Sequence, residues 1–552
     1  MLLNVDVSQK TIGNKHLFQD LRFSLEDKEK IAIIGRNGVG KTTLFRMLTG
    51  EDKDYAGNII FRKGVRVVAT RQEHHDMGDQ TALEYIVQNL PEYAALKHIL
   101  DTYPETMGEN MRLITEYSDA LERFSQLDYY NIEDVVRRSL EDYQLGHAAD
   151  IPMSGLSGGQ KRFVELIRVE HSHADLALID EPTNHMDYIA KAAFLRWFTA
   201  TKYAVVVITH DRDLLLEVSR IIEIKDKISH NFPGNYDAYL KQNTANTTSK
   251  INEYEVGKRT LENLHKQIQS VRAKKASTGK TPNPFIPLEK RLLKEQAELE
   301  AKLKKPTFWI DKESASSLNP KMEESYEKHK AKSIRIRHNS TDERARDLLL
   351  LEKVQVGYSA DKPLFNALSM RVQTGERYRI IGRNGAGKTT LVRTILDSGQ
   401  GNHPATRLSG KIVHDAKLRI NTYEQELDSS LLDMTLGAAI EHIYDMYELR
   451  VNEQIIMQVL GDYLFDPFID RVSPVRNLSG GQKARLQLVK LFANNPNLII
   501  LDEPTNHLDL PSIEELESVL KQYKGALLYI SHDSYLSDHL GGAAIELVPT
   551  SK

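Results

Sequence analysis

The sequence contains no cysteine among its 552 residues, and it has no long apolar run. The lack of cysteine excludes disulfides, thiolate metal sites and cysteine nucleophiles, and it is typical of a protein from a reducing cytoplasm. No apolar run approaches the roughly 20 residues that a membrane-spanning helix needs. The longest candidates, such as Tyr203–Ile208, have the length and β-branching of buried strands. The opening MLLNVDVSQK has no cleavable apolar core, so we expect a cytoplasmic protein without a signal peptide or a membrane span.

The net charge of −4 is unevenly distributed along the chain. Residues 241–347 hold 24 Lys and Arg against 15 Asp and Glu, a balance of +9, whereas the rest of the chain carries −13. A basic middle between two acidic halves predicts a polyanionic partner near the middle of the chain. The length predicts about three or four domains of ordinary size.

Two long stretches of the sequence are nearly identical. IIGRNGVGKTTLFR at Ile33–Arg46 matches IIGRNGAGKTTLVR at Ile380–Arg393 without gaps, 347 positions later. LSGGQ occurs at Leu156–Gln160 and again at Leu478–Gln482, 322 positions later. Two copies at this spacing indicate tandem domains rather than a solenoid. We name residues 1–240 the first repeat, residues 241–347 the linker and residues 348–552 the second repeat.

The first repeat contains an insertion at about residues 89–128. Gln72 and Ser157 are 85 positions apart, whereas Gln425 and Ser479 are 54 apart, so the first repeat has 31 more residues in this segment. Apolar residues recur there at helical spacing, and Gly108 precedes them. They are Met111, Ile114, Tyr117, Leu121 and Phe124. The pattern predicts an arm-like helical hairpin that the second repeat lacks.

The linker has two apolar stripes with helical spacing, separated by the helix-breaking stretch Ala276–Pro287. The stripes consist of Leu261, Leu264, Ile268 and Val271, and of Leu288, Leu292, Leu299 and Leu303. They predict an antiparallel pair of helices of about 25 residues each, and a further helix is expected after Pro320. Within the linker, Phe285 either packs between the two helices or serves as a stacking residue at the tip.

The tip of this helix pair, at about residues 274–291, is basic. Its cations are Lys274, Lys275, Lys280, Lys290 and Arg291. Charge alone leaves two interpretations open, a solvated end of a helical hairpin and an RNA-binding surface.

Both repeats contain a phosphate-binding loop. GRNGVGKT (Gly35–Thr42) and GRNGAGKT (Gly382–Thr389) follow apolar strands and precede helical patterns. Glycines at these positions let backbone N–H groups surround a phosphate at a helix N-terminus. We expect Lys41 and Lys388 to reach the β- and γ-phosphates. A chance match of one loop is conceivable, but two matches in the same context make it improbable.

Acidic residues follow a buried strand in each repeat. The apolar runs LALID and LIILD end in Asp180 and Asp502, where a carboxylate suits a Mg²⁺ site. Glu181 and Glu503 come next, and a carboxylate there can polarise an attacking water. Acidic pairs of this kind are also common on surfaces, but here they end buried strands, where charge is costly.

A histidine and a glutamine also recur in both repeats. His210 and His532 end strands at equivalent positions, which favours a γ-phosphate contact over a purely structural role. Gln72 and Gln425 lie in the paired stretches TRQE and YEQE. The predicted catalytic residues are therefore Glu181, Glu503, His210 and His532.

Walker A, LSGGQ, the DEPTNHxD run and the strand-end histidine together resemble the ATP-binding-cassette (ABC) ATPases. The resemblance covers both repeats, about four-fifths of the chain. It implies an α/β protein with two tandem ABC-type P-loop nucleotide-binding domains, joined here by an α-helical hairpin linker. It also implies that ATP and Mg²⁺ are the cofactors and that the chain hydrolyses ATP.

The resemblance implies composite sites, in which ATP is held between the Walker A loop of one repeat and the LSGGQ motif of the other. The residues implied for the first site are Gly35, Asn37, Gly38, Gly40, Lys41, Thr42, Thr43, Gln72 and Asp180, with Ser479, Gly480, Gly481 and Gln482. Those implied for the second are Gly382, Asn384, Gly385, Gly387, Lys388, Thr389, Thr390, Gln425 and Asp502, with Ser157, Gly158, Gly159 and Gln160. The expected Mg²⁺ ligands, partly through water, are Thr42, Gln72, Asp180, Thr389, Gln425 and Asp502.

The two sites differ at the residue expected to stack on adenine. Family members usually have an aromatic residue ahead of the Walker A strand, and Tyr358 lies there in the second repeat. At the offset of 347 its counterpart is Thr11. We therefore expect weaker adenine contact in the first site, or contact through another residue.

Within this family, the chain resembles the ABC-F subfamily. EPTNHMD (Glu181–Asp187), EPTNHLD (Glu503–Asp509) and GNYDAYL (Gly234–Leu240) are typical of it. The resemblance implies binding at the tRNA exit site of the ribosome, with the linker reaching toward P-site tRNA, rRNA and the peptidyl-transferase centre. The insertion would face the exit-site stalk. It implies a monomer whose two cassettes close on ATP and release the ribosome after hydrolysis, as a translation factor or in antibiotic resistance.

Two other classes remain as alternatives. An ATPase subunit of a transporter with a separate membrane chain would need a membrane-docking surface and no long helical pair between the cassettes. A DNA-repair or chromosome-organising cassette protein would carry a zinc module or a very long coiled coil. The lack of cysteine and the modest predicted helix length disfavour the latter.

Overall fold

The computed structural model describes residues 1–13, 15–70, 79–143, 145–184, 186–277, 285–302, 334–335, 346–359, 362–396, 406–424, 427–506 and 508–550. The chain divides into two compact units. One consists of Met1–Asn235 with Ile334–Lys552, and the other of Tyr236–Ser333. The domain limits derived from the sequence stay a prediction.

The first repeat contains ten strands and eight helices in its described part. The strands are β1 (Leu3–Ile12), β2 (Lys15–Phe18), β3 (Leu21–Leu25), β4 (Lys30–Gly35), β5 (Ala56–Phe61), β6 (Val67–Ala69), β7 (Leu176–Asp180), β8 (Ala204–Ile208), β9 (Arg220–Lys225) and β10 (Ile228–Pro233). The helices are α1 (Lys41–Leu48), α2 (Ala82–Gln88), α3 (Tyr93–Thr106), α4 (Met111–Gln126), α5 (Ile132–Asp142), α6 (Gly158–Glu170), α7 (Tyr188–Ala200) and α8 (Arg212–Leu216).

The main sheet of the first repeat has the strand order β10-β9-β4-β8-β7-β6. Its strands run parallel except for β10, which is antiparallel to β9. All five residues of β7 and of β8 are buried, as expected for the continuous apolar runs of a covered parallel sheet. Because β4 lies between β9 and β8, the loop after β4 and the ends of β7 and β8 share one edge of the sheet.

A smaller antiparallel sheet packs against this one. Its order is β2-β1-β3, and β5 also pairs with β1. Buried residues of β1, β4, α1 and β8 form one core, among them Leu3, Ile31, Leu44 and Val206.

The insertion of the first repeat contains helices α3 and α4, with Gly108 between them at φ 45°. Tyr93, Phe124 and Tyr129 form an aromatic cluster with ring centroids 5.4–5.7 Å apart. Arg123 at the end of α4 pairs with Glu92 ahead of α3 through two hydrogen bonds. The two helices are therefore held together by packing at one end.

The second repeat has a similar arrangement of sheets, but its main sheet has five strands and no counterpart of β10 among the described residues. Its strands are β11 (Asp347–Ser359), β12 (Lys362–Pro363), β13 (Leu368–Gln373), β14 (Arg377–Ile381), β15 (Thr406–His414), β16 (Ile420–Tyr423), β17 (Leu498–Asp502), β18 (Ala526–Ile530) and β19 (Ala543–Glu546). Its helices are α11 (Lys388–Leu396), α12 (Leu436–Asp445), α13 (Glu453–Asp462), α14 (Gly480–Phe492), α15 (Leu510–Gln522) and α16 (Ser534–Leu540). The parallel sheet has the order β16-β17-β18-β14-β19, so β14 and β18 are neighbours, as β4 and β8 are.

The linker unit contains α9 (Tyr236–Ser277) and α10 (Phe285–Lys302). Leu264, Ile268, Val271 and Leu292 form their shared core, and Phe285 packs against it, which supports packing rather than stacking. The prediction of about 25 residues per helix is wrong for α9, which has 42 residues. No proline interrupts it, and a helix interior tolerates its single glycine.

One other expectation for the linker is contradicted by the structure, and others concern residues that the structure does not describe. Leu288 was expected in the apolar stripe but is exposed. Lys280, Leu303 and the helix expected after Pro320 lie outside the described residues. Within the part of the chain that the structure describes, no helix combines the length and apolarity needed to cross a bilayer.

Candidate nucleotide site

Each phosphate-binding loop joins a central strand to a short helix. In the first repeat the loop follows β4 and ends at Gly40, which caps α1 with φ 104°. A Cβ on Gly40 would lie 2.8 Å from the ring of Phe18, so a side chain is excluded there. Lys41 Nζ donates to the carbonyl oxygens of Gly35 (2.7 Å) and Arg36 (3.3 Å), which places the ammonium group inside the loop.

The loop of the second repeat repeats this geometry. Lys388 Nζ donates to the carbonyl oxygens of Gly382 (2.7 Å) and Arg383 (3.2 Å). Burial lowers the pKa of both Lys41 and Lys388, while nearby carboxylates oppose the shift. Added negative charge in the loop would therefore be stabilising, as a bound phosphate would provide.

A hydroxyl and a carboxylate meet beside each loop. Thr42 Oγ1 lies 3.2 Å from Asp180 Oδ2, and Thr389 donates a hydrogen bond to Asp502. Hard oxygen donors of this kind suit Mg²⁺, which is usually held by one or two carboxylates, substrate phosphates and water. The described residues contain no cluster of three or more His, Asp or Glu side chains that would hold a metal without such help. The donor set thus fits a Mg²⁺ ion that arrives with a nucleotide.

Glu181 and Glu503 follow these aspartates in a left-handed backbone conformation, with φ 44° and 47°. Non-glycine residues rarely adopt it, and it costs of order 1–3 kcal/mol. His210 Nε2 lies 3.5 Å from Glu181 Oε1, and His532 Nε2 lies 3.1 Å from Glu503 Oε1. The strained backbone therefore directs each glutamate toward a histidine from the neighbouring strand.

Burial controls the protonation of these pairs. It raises the pKa of Glu181 to about 8 and that of Glu503 to about 7, with the adjacent aspartates adding to the shift. It lowers the pKa of His210 to about 3 and that of His532 to about 4, and the loop lysines add to that shift. Without a ligand, burial therefore favours a protonated glutamate and a neutral histidine in each pair.

Several buried polar atoms at these pairs have no hydrogen-bond partner among the described residues. They are both ring nitrogens of His210, Nε2 of His532 and Oε1 of Glu503. Although His532 and Glu503 are close, their atoms are not aligned for a hydrogen bond. Buried polar atoms normally have partners. The unsatisfied atoms lie in a cleft that Lys41, Thr42, Lys191 and Thr389 also line, which fits a phosphate-bearing ligand.

Each phosphate-binding loop is contacted by the other repeat. The N–H of Asn37 donates to Asp509 Oδ2 (3.0 Å), and the N–H of Asn384 donates to Asp187 Oδ2 (2.9 Å). These aspartates also cap α15 and α7, because they accept hydrogen bonds from the N–H groups of Ser512 and Ala190. The sequence reasoning missed Asp187 and Asp509, although both end the EPTNHxD runs that it singled out.

The LSGGQ motifs form the N-termini of α6 and α14. Ser157 and Ser479 are the N-caps, and Gln160 and Gln482 complete capping boxes with them. Gly480 faces the first loop so closely that a Cβ on it would lie 3.2 Å from Asn37 Cβ. Ser157, Gly158 and Gly159 line the cleft together with Asn384 and Gly385 of the second loop. Predicted residues of both composite sites are thus brought together, while the glutamines serve to cap helices.

The surroundings of the expected adenine position differ between the repeats. Tyr358 is exposed, and its hydroxyl lies 3.2 Å from Thr390 Oγ1. In the first repeat, Ile12 and Leu17 line the cleft. An apolar side chain next to Thr11 is therefore available where the sequence showed no aromatic residue. Gln72 and Gln425 lie outside the described residues.

The protonation of Glu181 predicts a loss of stability above pH 6.5. Between about pH 4.5 and pH 8 the folded protein keeps a proton on Glu181 that the unfolded chain has lost, so folding becomes less favourable as pH rises. The histidines act oppositely, but only below their ordinary pKa of 6.5. We expect the nucleotide-free protein to unfold at lower urea concentration at pH 8.0 than at pH 6.5. Glu181→Gln should reduce the difference and exposed Glu51→Gln should not; an unchanged difference in Glu181→Gln would contradict the assignment.

Comparison with known proteins decides the family. The model of the ABC transporter family matches residues 18–184 and 365–506, which together exceed half of the chain. The chain belongs to the ABC transporter family. Its membership makes it an ATP-binding protein with the ATPase activity of this family, and it confirms the predicted fold of two tandem nucleotide-binding domains.

Individual relatives confirm the resemblance to the ABC-F subfamily. The chain is 27% identical to ABC transporter F family member 2 of Arabidopsis thaliana, over 96% of this chain and 74% of that protein. It is 28% identical to the ATP-binding protein Uup of Escherichia coli, over 98% of this chain and 79% of that protein. Among solved structures, its fold resembles archaeal ribosome recycling factor aABCE1 in complex with ribosomal stalk protein aP1. That match has a TM-score of 0.52 and 15% identity and covers 96% of this chain and 85% of that chain.

Proposed function

We propose that this ABC protein is a clamp whose two cassettes close on two Mg·ATP molecules and open after hydrolysis. The reciprocal contacts of Asn37 with Asp509 and of Asn384 with Asp187 carry this proposal. Through these hydrogen bonds, a movement of one cassette alters the contacts of the phosphate-binding loop of the other. ATP favours the closed form only as far as it binds that form more tightly than the open one.

In each site, some side chains bind the nucleotide and others take part in proton transfer. Lys41 and Lys388 bind the β- and γ-phosphates. Thr42 with Asp180, and Thr389 with Asp502, would hold Mg²⁺, which would neutralise phosphate charge. In their ionised form, Glu181 and Glu503 accept a proton from the attacking water, and His210 and His532 contact the γ-phosphate.

The partner that we propose for the closed form is the ribosome in the cytoplasm. The ABC-F resemblance supports this, and so does the charge of the linker tip. Residues 272–291 contain six Lys and Arg but only one carboxylate, Glu289, which pairs with Arg272 (2.9 Å) and Lys275 (2.7 Å). Lys290 and Arg291 are exposed on α10. Such a cationic end suits rRNA or the backbone of P-site tRNA, where phosphate contacts dominate affinity.

The finer parts of the proposal follow the ABC-F resemblance. The chain binds as a monomer near the tRNA exit site, with α3 and α4 toward the exit-site stalk and the linker toward the peptidyl-transferase centre. It acts there as a translation factor or protects the ribosome from an antibiotic.

Ribosome co-sedimentation tests the proposal. We expect the Glu181→Gln/Glu503→Gln protein to co-sediment with purified ribosomes in ATP but not without it. Binding should weaken between about 50 mM and about 200 mM salt, because counterions compete for the phosphates. Lys290→Gln/Arg291→Gln should bind less tightly and reduce the slope of log affinity against log salt by about one per lost phosphate contact.

A matched control is Lys294→Gln, which removes a cation that pairs with Glu298 on the same helix. It should bind more like the parent protein. Absence of co-sedimentation with and without ATP would contradict the proposal and favour the ATPase subunit of a transporter.

A further inference from the structure

Residues 466–474 of the second cassette form an exposed apolar loop, which we call the 466–474 loop. Its side chains Phe468, Ile469 and Val472 are 80%, 69% and 69% exposed. Large apolar side chains grouped on a surface commonly mark an interaction site. The loop lies between α13 and the LSGGQ motif of the second cassette.

The corresponding loop of the first cassette is different. It runs between the buried residues Leu145 and Met153 and has seven residues, whereas the 466–474 loop has nine between the buried residues Phe465 and Val475. Residues 146–152 have the sequence GHAADIP and include no exposed large apolar side chain. The apolar surface is therefore specific to the second cassette and is not needed for the shared fold.

Hydrogen bonds hold the loop in one conformation. Asp466 Oδ1 accepts from the N–H groups of Phe468 (2.9 Å) and Ile469 (3.0 Å). The N–H of Asp466 in turn donates to Asp470 Oδ2 (2.8 Å). An outward-facing aromatic side chain on a preorganised loop loses little entropy when it binds.

The stretch of sequence that contains the loop is acidic. Residues 427–477 contain nine Asp and Glu but only three Arg, a balance of −6. Two of the arginines are already paired, Arg471 with Glu453 and Arg476 with Asp433. This charge repels nucleic-acid phosphate, and it complements a surface rich in Lys and Arg.

The loop is also bonded to the LSGGQ motif. Asp470 Oδ1 accepts a hydrogen bond from Gln482 Nε2 (3.3 Å), and Gln482 forms the capping box of α14 with Ser479. The next residue, Gly480, faces Asn37 of the first nucleotide site. Two hydrogen-bonded residues therefore connect the loop to the first site.

We propose that the 466–474 loop docks on a protein surface with an apolar centre and a rim of Lys and Arg, and that docking stimulates hydrolysis in the first site. This rests on the proposed function and deepens it. The linker tip contacts RNA of the ribosome, whereas the 466–474 loop contacts a basic ribosomal protein. Phe468 is the anchor, since aromatic side chains dominate the energy of protein interfaces. The acidic stretch gives the contact its preference for protein over RNA.

Photo-crosslinking identifies what covers the loop. The full chain carrying p-benzoylphenylalanine at position 468 and Glu181→Gln/Glu503→Gln is bound to purified ribosomes in ATP, sedimented and irradiated. We expect an adduct that protease removes and nuclease leaves intact, with a ribosomal protein as the second component. An RNA adduct, an adduct with a second copy of this chain, or co-sedimentation without an adduct would each overturn the docking proposal. Failure to co-sediment would overturn the proposed function and the docking proposal together.

Kinetics test the link to hydrolysis. Phe468→Ser/Val472→Ser should leave the ATPase rate without ribosomes within about twofold and reduce ribosome affinity about tenfold, as loss of an aromatic anchor does. The increase in ATPase rate that ribosomes cause should fall together with the ribosome affinity. Val548→Ser, which alters an equally apolar and 50% exposed residue elsewhere, is the matched control. Equal affinity and equal stimulation in the double variant and the control would overturn the proposal, whereas lower affinity with full stimulation at saturating ribosomes would overturn the link to hydrolysis.

Discussion

Replacing both Glu181 and Glu503 with glutamine is expected to reduce steady-state ATP hydrolysis about 100- to 10,000-fold, the usual contribution of a general base. Glutamine keeps the size of the side chain but cannot accept a proton from the attacking water. ATP binding should persist, because the loop lysines and the threonine–aspartate pairs are unchanged. Phosphate release measures the first effect, and binding of radiolabelled ATP on filters measures the second.

The control for this experiment is Glu51→Gln, an exposed substitution that should leave both quantities unchanged. The single variants Glu181→Gln and Glu503→Gln add a comparison of the two sites, whose glutamates have raised pKa values of about 8 and about 7. Hydrolysis at the parent rate in the double variant would rule out the glutamates as the general bases.

Removing Arg212 is expected to destabilise the paired cassettes by about 3–5 kcal/mol, the cost of leaving a buried partner charge uncompensated. Arg212 belongs to α8 of the first cassette and Glu517 to α15 of the second. Their side chains are 4% and 5% exposed, with Nη1 and Oε1 2.7 Å apart. Burial opposes the ionisation of Glu517, but hydrogen bonds and charge from His539 and Arg212 lower its pKa on balance. Arg212→Leu should therefore lower the free energy of unfolding in urea and the ATPase rate together.

A double substitution separates the buried charge from packing. Arg212→Leu/Glu517→Leu should recover much of the loss, since an apolar pair in a buried site is often as stable as an ion pair. Arg137→Leu breaks the exposed pair with Asp150 and should cost about 1 kcal/mol or less. A cost for Arg212→Leu no larger than for Arg137→Leu would contradict the importance of the buried pair.

The contact between Arg212 and Glu517 has no equivalent in the opposite direction. The position that matches Arg212 at the offset of 322 is Ser534, which donates to Asp213 Oδ1 (2.5 Å). The contact that Arg212 makes with the second cassette is thus a buried ion pair, whereas Ser534 makes a single hydroxyl contact with the first cassette. The contacts of Asp509 and Asp187 with the phosphate-binding loops occur in both directions, whereas the contacts of Arg212 and Ser534 differ.

Local sequence determined the nucleotide-binding loops, the strand-end acids and the duplication. A phosphate-binding loop needs glycines and a lysine at fixed spacing between a strand and a helix. The loops at Gly35–Thr42 and Gly382–Thr389 can therefore be recognised without knowledge of any tertiary contact. The apolar stripe of Leu264, Ile268 and Val271 likewise indicated a helix pair, because its period is that of one helix face. The length of α9 was underestimated, since periodicity reports a packed face and α9 continues beyond it.

Only the tertiary structure decided how the two halves meet. Asp187 and Asp509 bind phosphate-binding loops that are distant in sequence. Nothing in the sequence around these aspartates identifies the loop that each one contacts. The raised pKa values of Glu181 and Glu503 come from burial, and burial is a property of the assembled sheet edge. The left-handed backbone conformation of these glutamates likewise became visible only in the tertiary structure. Sequence by itself therefore determined which chemical groups this protein carries, because their spacing along the chain is local. Folding decided which groups face each other and in which protonation state, because both depend on contacts across the chain.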